Sequence, residues 1–287
     1  MTDADLLPRS STLTLLTKGD REPPLFLIHG LSGDLGEFDK IAAQFHSRHA
    51  LWGIGARGLD GAIAPETCVE EMAARYVESV RTRQPLGPYV LAGYSFGGLV
   101  AVEMARQLAA RGDSVARLIL IHAVLDEQYW PTGVWIRVMA RRLLKHLRHV
   151  RASSSSLAVA YLRRGLKKRL DRLWRRQGRV ADITPNGDGI ARSPAQAAVR
   201  AGSLMAMARY RPSAYDGKII FLLPSGDREL WCEPEKIWGK CTATLEVHTV
   251  LGDHWSIMRD EVHAAGVAAV LSHCVETLDG EQSRSRT

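Results

Sequence analysis

Six short apolar runs, at residues 25–28, 50–54, 89–92, 115–121, 218–223 and 245–250, constrain the fold of this chain more than any other feature, because most are continuous and not alternating. A strand with one wet face alternates apolar and polar residues, whereas an unbroken run belongs to a strand covered on both faces, as in a parallel sheet flanked by helices. The stretches between the runs read as those helices. Residues 66–83 place Val69, Met72, Ala73, Tyr76, Val77 and Val80 at helical spacing. Residues 96–110 do the same with Leu99, Val102, Ala105 and Leu108, and Gly112 follows as a C-cap. Strand and helix in repetition predict a doubly wound, mostly parallel α/β fold. Length alone would allow two domains, but the 287 residues, 46% of them hydrophobic, read as one series, so a single domain over 1–287 is expected. The roughly 95 residues between the fourth and fifth runs far exceed an ordinary crossover. They predict an inserted helical lid at about 124–207, with amphipathic stretches at 135–150 and 157–174.

The net charge of +7 is unevenly spread. Residues 131–180 hold fifteen Lys or Arg against a single acid, Asp171, so the basicity belongs to the insertion and the remainder is net acidic. Such one-sign density attracts an anionic partner. An anionic membrane surface competes for that role, since Trp135 and Trp174 flank Leu-rich faces set between arginines. Nucleic acid is disfavoured because no reader motif accompanies the charge. The first 22 residues lack a basic segment followed by an unbroken apolar core, with Thr14 interrupting residues 13–16, and nowhere do 18 apolar residues run together; a cytoplasmic protein is expected. Cys68, Cys232, Cys241 and Cys274 stand apart without a C-x-x-C pair, which favours reduced thiols. The pairs His46/His49 and His146/His149 lack the glutamate and spacing of a metalloprotease helix, and neither a metal nor another cofactor is expected.

Chemistry concentrates at three strand ends. Gly93-Tyr94-Ser95-Phe96-Gly97 follows one run and opens a helix. This is the context of a nucleophile elbow, in which a serine sits on a tight turn that needs glycine two positions either side. His29-Gly30-Leu31-Ser32-Gly33 follows the first run, where the second oxyanion-hole amide would be donated, making the N–H groups of Leu31 and Phe96 the expected donors. Gly252-Asp253-His254 follows the last run and supplies a late histidine as general base.

Taken with residues 24–30, 84–89 and 103–105 (PLFLIHG, QPLGPY, EMA) and with Met258 after His254, these motifs closely resemble the thioesterase domains of nonribosomal peptide and polyketide synthetases. The match covers about residues 13–123 and 208–275; the insertion resembles nothing specific. The resemblance implies an α/β hydrolase that moves an acyl, polyketide or peptidyl chain from the phosphopantetheine of a carrier protein, or from CoA, onto Ser95, and releases it by hydrolysis or cyclisation. It also supplies natural anions for the basic insertion, the pantetheine phosphate and the acidic carrier. One departure stands out. Where the peptide-synthetase members usually carry the triad acid, residues 118–121 (LILI) end in His122. Loss of a triad acid costs about 10⁴ in rate. The run at 218–223 is followed by Gly226-Asp227-Arg228-Glu229, whose G-x-x-acid pattern resembles the acid position of many other α/β hydrolases, so Glu229 is the first candidate acid, ahead of Asp227, of no acid at all and of Asp126, with His122 read as a core histidine. Two other functions stay open at this point: a pseudo-hydrolase that binds carrier or acyl chain without turnover, and a membrane-associated esterase or lipase.

Overall fold

The computed structural model describes residues 12–123, 125, 130–152, 193–227, 233–242 and 244–284. Among these residues seven strands form one sheet: β1 (Leu13–Thr17), β2 (Arg21–Ile28), β3 (His49–Ile54), β4 (Tyr89–Tyr94), β5 (Val115–Ile121), β6 (Ile219–Pro224) and β7 (Leu245–Val250). Their order is β1-β3-β2-β4-β5-β6-β7, and every neighbouring pair is parallel except β1 with β3. This is the mostly parallel, helix-covered sheet of an α/β hydrolase. β1 was not among the six runs. It is an edge strand, with Leu13 buried, Thr14 exposed and the next three residues half-buried, so it lacks the continuous burial of β3 and β4.

The continuous runs are resolved by the pleat, which sends successive side chains to opposite faces. Phe26, Ile28, Leu91, Leu118 and Leu120 join one apolar cluster with helices α2 (Val69–Arg83) and α3 (Phe96–Ala110). Leu25, Leu27, Val90, Ala92, Ile119 and Ile121 join the other. That second face is covered by α1 (Asp39–Gln44) and by the C-terminal helix Glu261–Arg284, whose Glu261 carbonyl accepts a 2.6 Å bond from Gln44 Nε2. Each fully buried Leu, Ile or Phe contributes about 1.5–3 kcal/mol, so the sheet is pinned from both sides. Helix α3 ends as its sequence predicts. Gly112 takes φ 84°, and the N–H groups of Gly112 and Asp113 donate to Ala109 and Leu108 oxygens (both 3.0 Å), closing the last turn.

Between β5 and β6 the described part of the insertion comprises α4 (Thr132–Ala152) and α5 (Pro194–Arg209). The amphipathic stretch 157–174 lies outside the described residues. Helix α5 opens with Ser193 accepting from Gln196 N–H at 3.1 Å and Pro194 at its first position. It ends against α3, where Tyr210 Oη donates to the buried Glu103 carboxylate at 3.1 Å. Three of the four cysteines are described: Cys68 half-buried, Cys241 and Cys274 buried, all as free thiols.

Candidate active site

Parallel strands end together, and the loops that leave their C-terminal edge are where an open α/β sheet binds ligands. Four such ends carry the residues of interest. At the end of β4, Ser95 holds φ 53° and ψ −114°, a strained left-handed conformation for a residue with a side chain. The turn is tight enough to demand its glycines. A Cβ on Gly93 would lie on the Gly97 carbonyl oxygen, one on Gly97 on the His29 carbonyl oxygen, and one on Gly98 against the Ala123 methyl. Ser95 N–H donates to Ile121 O (2.9 Å), tying the turn to β5, and the Ser95 side chain is partly exposed. Phe96 begins α3, so its N–H has no carbonyl one turn earlier to bond and stands at the positive end of the helix.

After β2, the loop of His29 to Gly33 approaches the same turn. His29 is fully buried. Its Nδ1 lies 2.6 Å from Gly30 O and its Nε2 2.8 Å from Tyr76 Oη, and burial pushes its pKa down to about 4. The ring is neutral, with Nδ1 donating to the carbonyl and Nε2 accepting from the phenol. Glu37 braces this loop: Oε1 accepts from Gly30 N–H at 2.5 Å and Oε2 from Ser32 Oγ at 3.3 Å. Burial raises its pKa to about 7, against the pull of those two donors. Helix α5 packs on the loop from the insertion side. Gln196 Nε2 donates to Asp34 Oδ2 at 3.2 Å, and Val199 fills the space beside Gly33, which turns at φ 77°. Leu31, the expected second amide donor, sits partly buried between these supports.

After β7, Gly252 turns at φ 104° and Asp253 caps the short helix Ser256–Arg259, its Oδ1 accepting from the N–H groups of Trp255 and Ser256 (both 2.9 Å). Those bonds hold its carboxyl below the usual range. The carboxylate next to His254 in sequence is thus engaged as a helix cap. His254 itself is fastened to the elbow. Its carbonyl accepts from Tyr94 Oη at 2.6 Å, and its ring stacks on Tyr94 with centroids 5.1 Å apart. Trp255 meets it edge-on at 5.1 Å and is exposed, with the Arg259 guanidinium 5.0 Å from the indole centroid.

At the fourth end Asp126 was a candidate acid and His122 was expected to be a core histidine. His122 leaves β5 at φ 46° with its N–H bonded to Leu222 O (3.0 Å), and its Nδ1 lies 2.8 Å from His254 Nδ1. The rings meet edge to face at 4.9 Å. Histidine enters the left-handed region more readily than most residues with side chains, which lets the chain turn here and bring the ring over. Burial lowers its pKa to about 4, with the Asp253 charge opposing. Its position after the LILI run was the available signal, and reading it only as a core histidine missed the contact. Of the candidate acids, Glu229 and Asp126 lie outside the described residues. The backbone of Asp227 closes a 3-10 turn (Ser225–Asp227), with Gly226 N–H on Gly252 O at 2.8 Å. Among the described residues no cluster of three or more His, Cys, Asp or Glu could hold a metal ion, and no helix is long and apolar enough to cross a membrane.

Comparison with known proteins gives one answer at several levels. The thioesterase domain family model matches residues 23–277. Malpibaldin synthetase of Mortierella alpina is 43% identical over 112 residues, which is 39% of this chain and 2% of the synthetase. The nonribosomal peptide synthetase btyA of Aspergillus terreus is 28% identical over 280 residues, or 92% of this chain and 29% of the synthetase. The chain therefore spans a small part of these relatives. Among solved structures, the NocB thioesterase domain in covalent complex with a fluorophosphonate nocardicin G analogue superposes with TM-score 0.58 and 26% identity over 89% of this chain and 95% of that one. YbtT, a type II thioesterase of the yersiniabactin pathway, shares the fold at TM-score 0.61 and 15% identity, over 93% and 97% of the two chains.

Proposed function

Because the chain belongs to the thioesterase domain family, we propose that it releases an acyl, polyketide or peptidyl chain from a phosphopantetheine thioester through an acyl-enzyme on Ser95. The observation that carries this reading is the strained Ser95 turn at the head of α3, with His254 tied to the adjacent Tyr94. In the first half-reaction His254 Nε2 takes the Ser95 Oγ proton as Oγ adds to the thioester carbonyl carbon. The N–H groups of Leu31 and Phe96 receive the oxyanion. Collapse breaks the carbon–sulfur bond, and the departing sulfur takes the proton from His254 Nε2. In the second half-reaction water, or a nucleophile within the acyl chain, gives its proton to the same nitrogen and adds to the ester; Ser95 Oγ leaves and recovers the proton. Water yields the free acid and an internal nucleophile yields a ring.

The substrate carrier is a phosphopantetheinylated carrier protein, with acyl-CoA as a smaller donor of the same thioester, and the enzyme works in the cytoplasm. Support for the carrier comes from the relatives, which are synthetases, and from the basic segment 131–180, whose charge suits an acidic protein and a phosphate. Ser95→Ala tests the nucleophile. Thioester hydrolysis should fall by several decades, to the level the oxyanion amides and binding alone support, and fluorophosphonate labelling should vanish while the fold survives. Turnover at the wild-type rate in that variant removes the assignment.

A further inference from the structure

A nitrogen–nitrogen distance of 2.8 Å between two imidazoles admits one arrangement, in which one ring donates its N–H and the other accepts with a lone pair. Two lone pairs would repel, and two N–H groups would collide. We propose that His122 takes the place of the triad carboxylate, its Nδ1 accepting the His254 Nδ1–H and so fixing the tautomer that leaves His254 Nε2 as the base for Ser95. The inference rests on the serine reading above and adds to it a Ser95–His254–His122 relay in which His122 is a positioning residue.

The surroundings of His122 suit an acceptor. The residue is 1% exposed and its backbone is locked into the β5–β6 pairing by the bond to Leu222 O, so the ring is delivered from a rigid strand end and not from a loop. Its lowered pKa, near 4, keeps it neutral at ordinary pH, so one of its ring nitrogens retains a lone pair that can accept. The carboxylate of Asp253, whose charge is felt at His122, is occupied by the amides of Trp255 and Ser256. Neutrality has a cost. When His254 takes the Ser95 proton, the resulting cation keeps its hydrogen bond to His122, and the neutral His122 ring itself brings no opposite charge to it. A carboxylate at position 122 would add the missing charge.

Two experiments test this independently of each other. The ring ¹⁵N shifts of the wild-type enzyme, labelled at histidine, report which nitrogen carries the proton. The expected result is His254 protonated at Nδ1 and His122 at Nε2; the reverse assignment, with His122 Nδ1–H donating to His254, overturns the proposal. In kinetics, His122→Ala should lower kcat about 100-fold with KM changed less than threefold, since positioning acts on the transition state and not on substrate binding. His122→Asp should return kcat to the wild-type value or above. A kcat for His122→Ala within twofold of wild type overturns the proposal, as does such a result paired with a thousandfold loss in Glu229→Gln, which would hand the role to the loop after β6. Failure of the underlying reading looks different: there Ser95→Ala itself would still turn over.

Discussion

His29 and His122 stand at the ends of two parallel strands of one sheet, both buried, both neutral, both with a pKa near 4 for the same reason, loss of solvent around the charged form. Burial and titration do not separate them. Their partners do. His29 spends both ring nitrogens on fixed groups of the fold, the Gly30 carbonyl and the Tyr76 phenol, and so braces the loop that carries Leu31. His122 turns Nδ1 to a second titratable ring, that of His254, which stacks on Tyr94 and whose carbonyl accepts from the Tyr94 phenol. Burial and a depressed pKa therefore do not distinguish two such histidines; the chemistry of the ring's partner does.

The comparison can be broken through stability. The neutral rings contribute stability that is fully present above pH 6.5 and is lost as pH falls toward 4, because the folded protein resists protonation that the unfolded chain accepts. Each shift corresponds to about 3 kcal/mol when complete. Urea midpoints measured from pH 8 down to pH 4 should therefore fall steeply. In His29→Gln the fall should be about half as large, and at pH 8 the variant should be about 2 kcal/mol less stable, for lost packing and the unpaired Tyr76 hydroxyl. If His29→Gln follows the wild-type pH curve, the two histidines are not alike in burial and the comparison fails.

A smaller effect sharpens it from the opposite direction. Glu37 braces the same loop as His29 but its pKa is raised to about 7, so its contribution is fully present below pH 4.5 and is lost as pH rises through 7. Glu37→Gln keeps an oxygen for the Gly30 N–H and removes the titration. It should be more stable than wild type at pH 8, by about 1 kcal/mol after allowance for solvent screening, and show no such advantage at pH 4.5. An equal difference at both pH values would mean that the carboxyl does not titrate where its burial places it.

Much of this was legible in the sequence because it is written in backbone geometry. Gly93 is required by the tightness of the elbow itself, and Gly97 and Gly98 by its close approach to the end of β2 and to Ala123; glycine is the residue type whose placement sequence reports most clearly. The inner strands were legible because a parallel sheet covered on both faces leaves unbroken apolar runs, and α3 was legible to its last residue through Leu99, Val102, Ala105, Leu108 and Gly112. Edge strand β1 was not, since its five residues, LTLLT, form neither a continuous apolar run nor a regular alternation long enough to separate from a loop. The bracing by Glu37 was hidden because a glutamate before Phe38 reads as an ordinary surface residue until the turn brings it to Gly30. The His122–His254 contact was hidden for a different reason. It joins residues 132 apart whose side chains meet only because β5 and β7 end at the same edge of the sheet.

The most direct measurement of the account is the intact mass of the protein seconds after mixing with an acyl-pantetheine thioester. A mass increase equal to one acyl group is expected, located on Ser95, decaying as free acid or ring appears and absent from Ser95→Ala. Thioester turnover with no adduct on Ser95, or the same adduct persisting in Ser95→Ala, would contradict it.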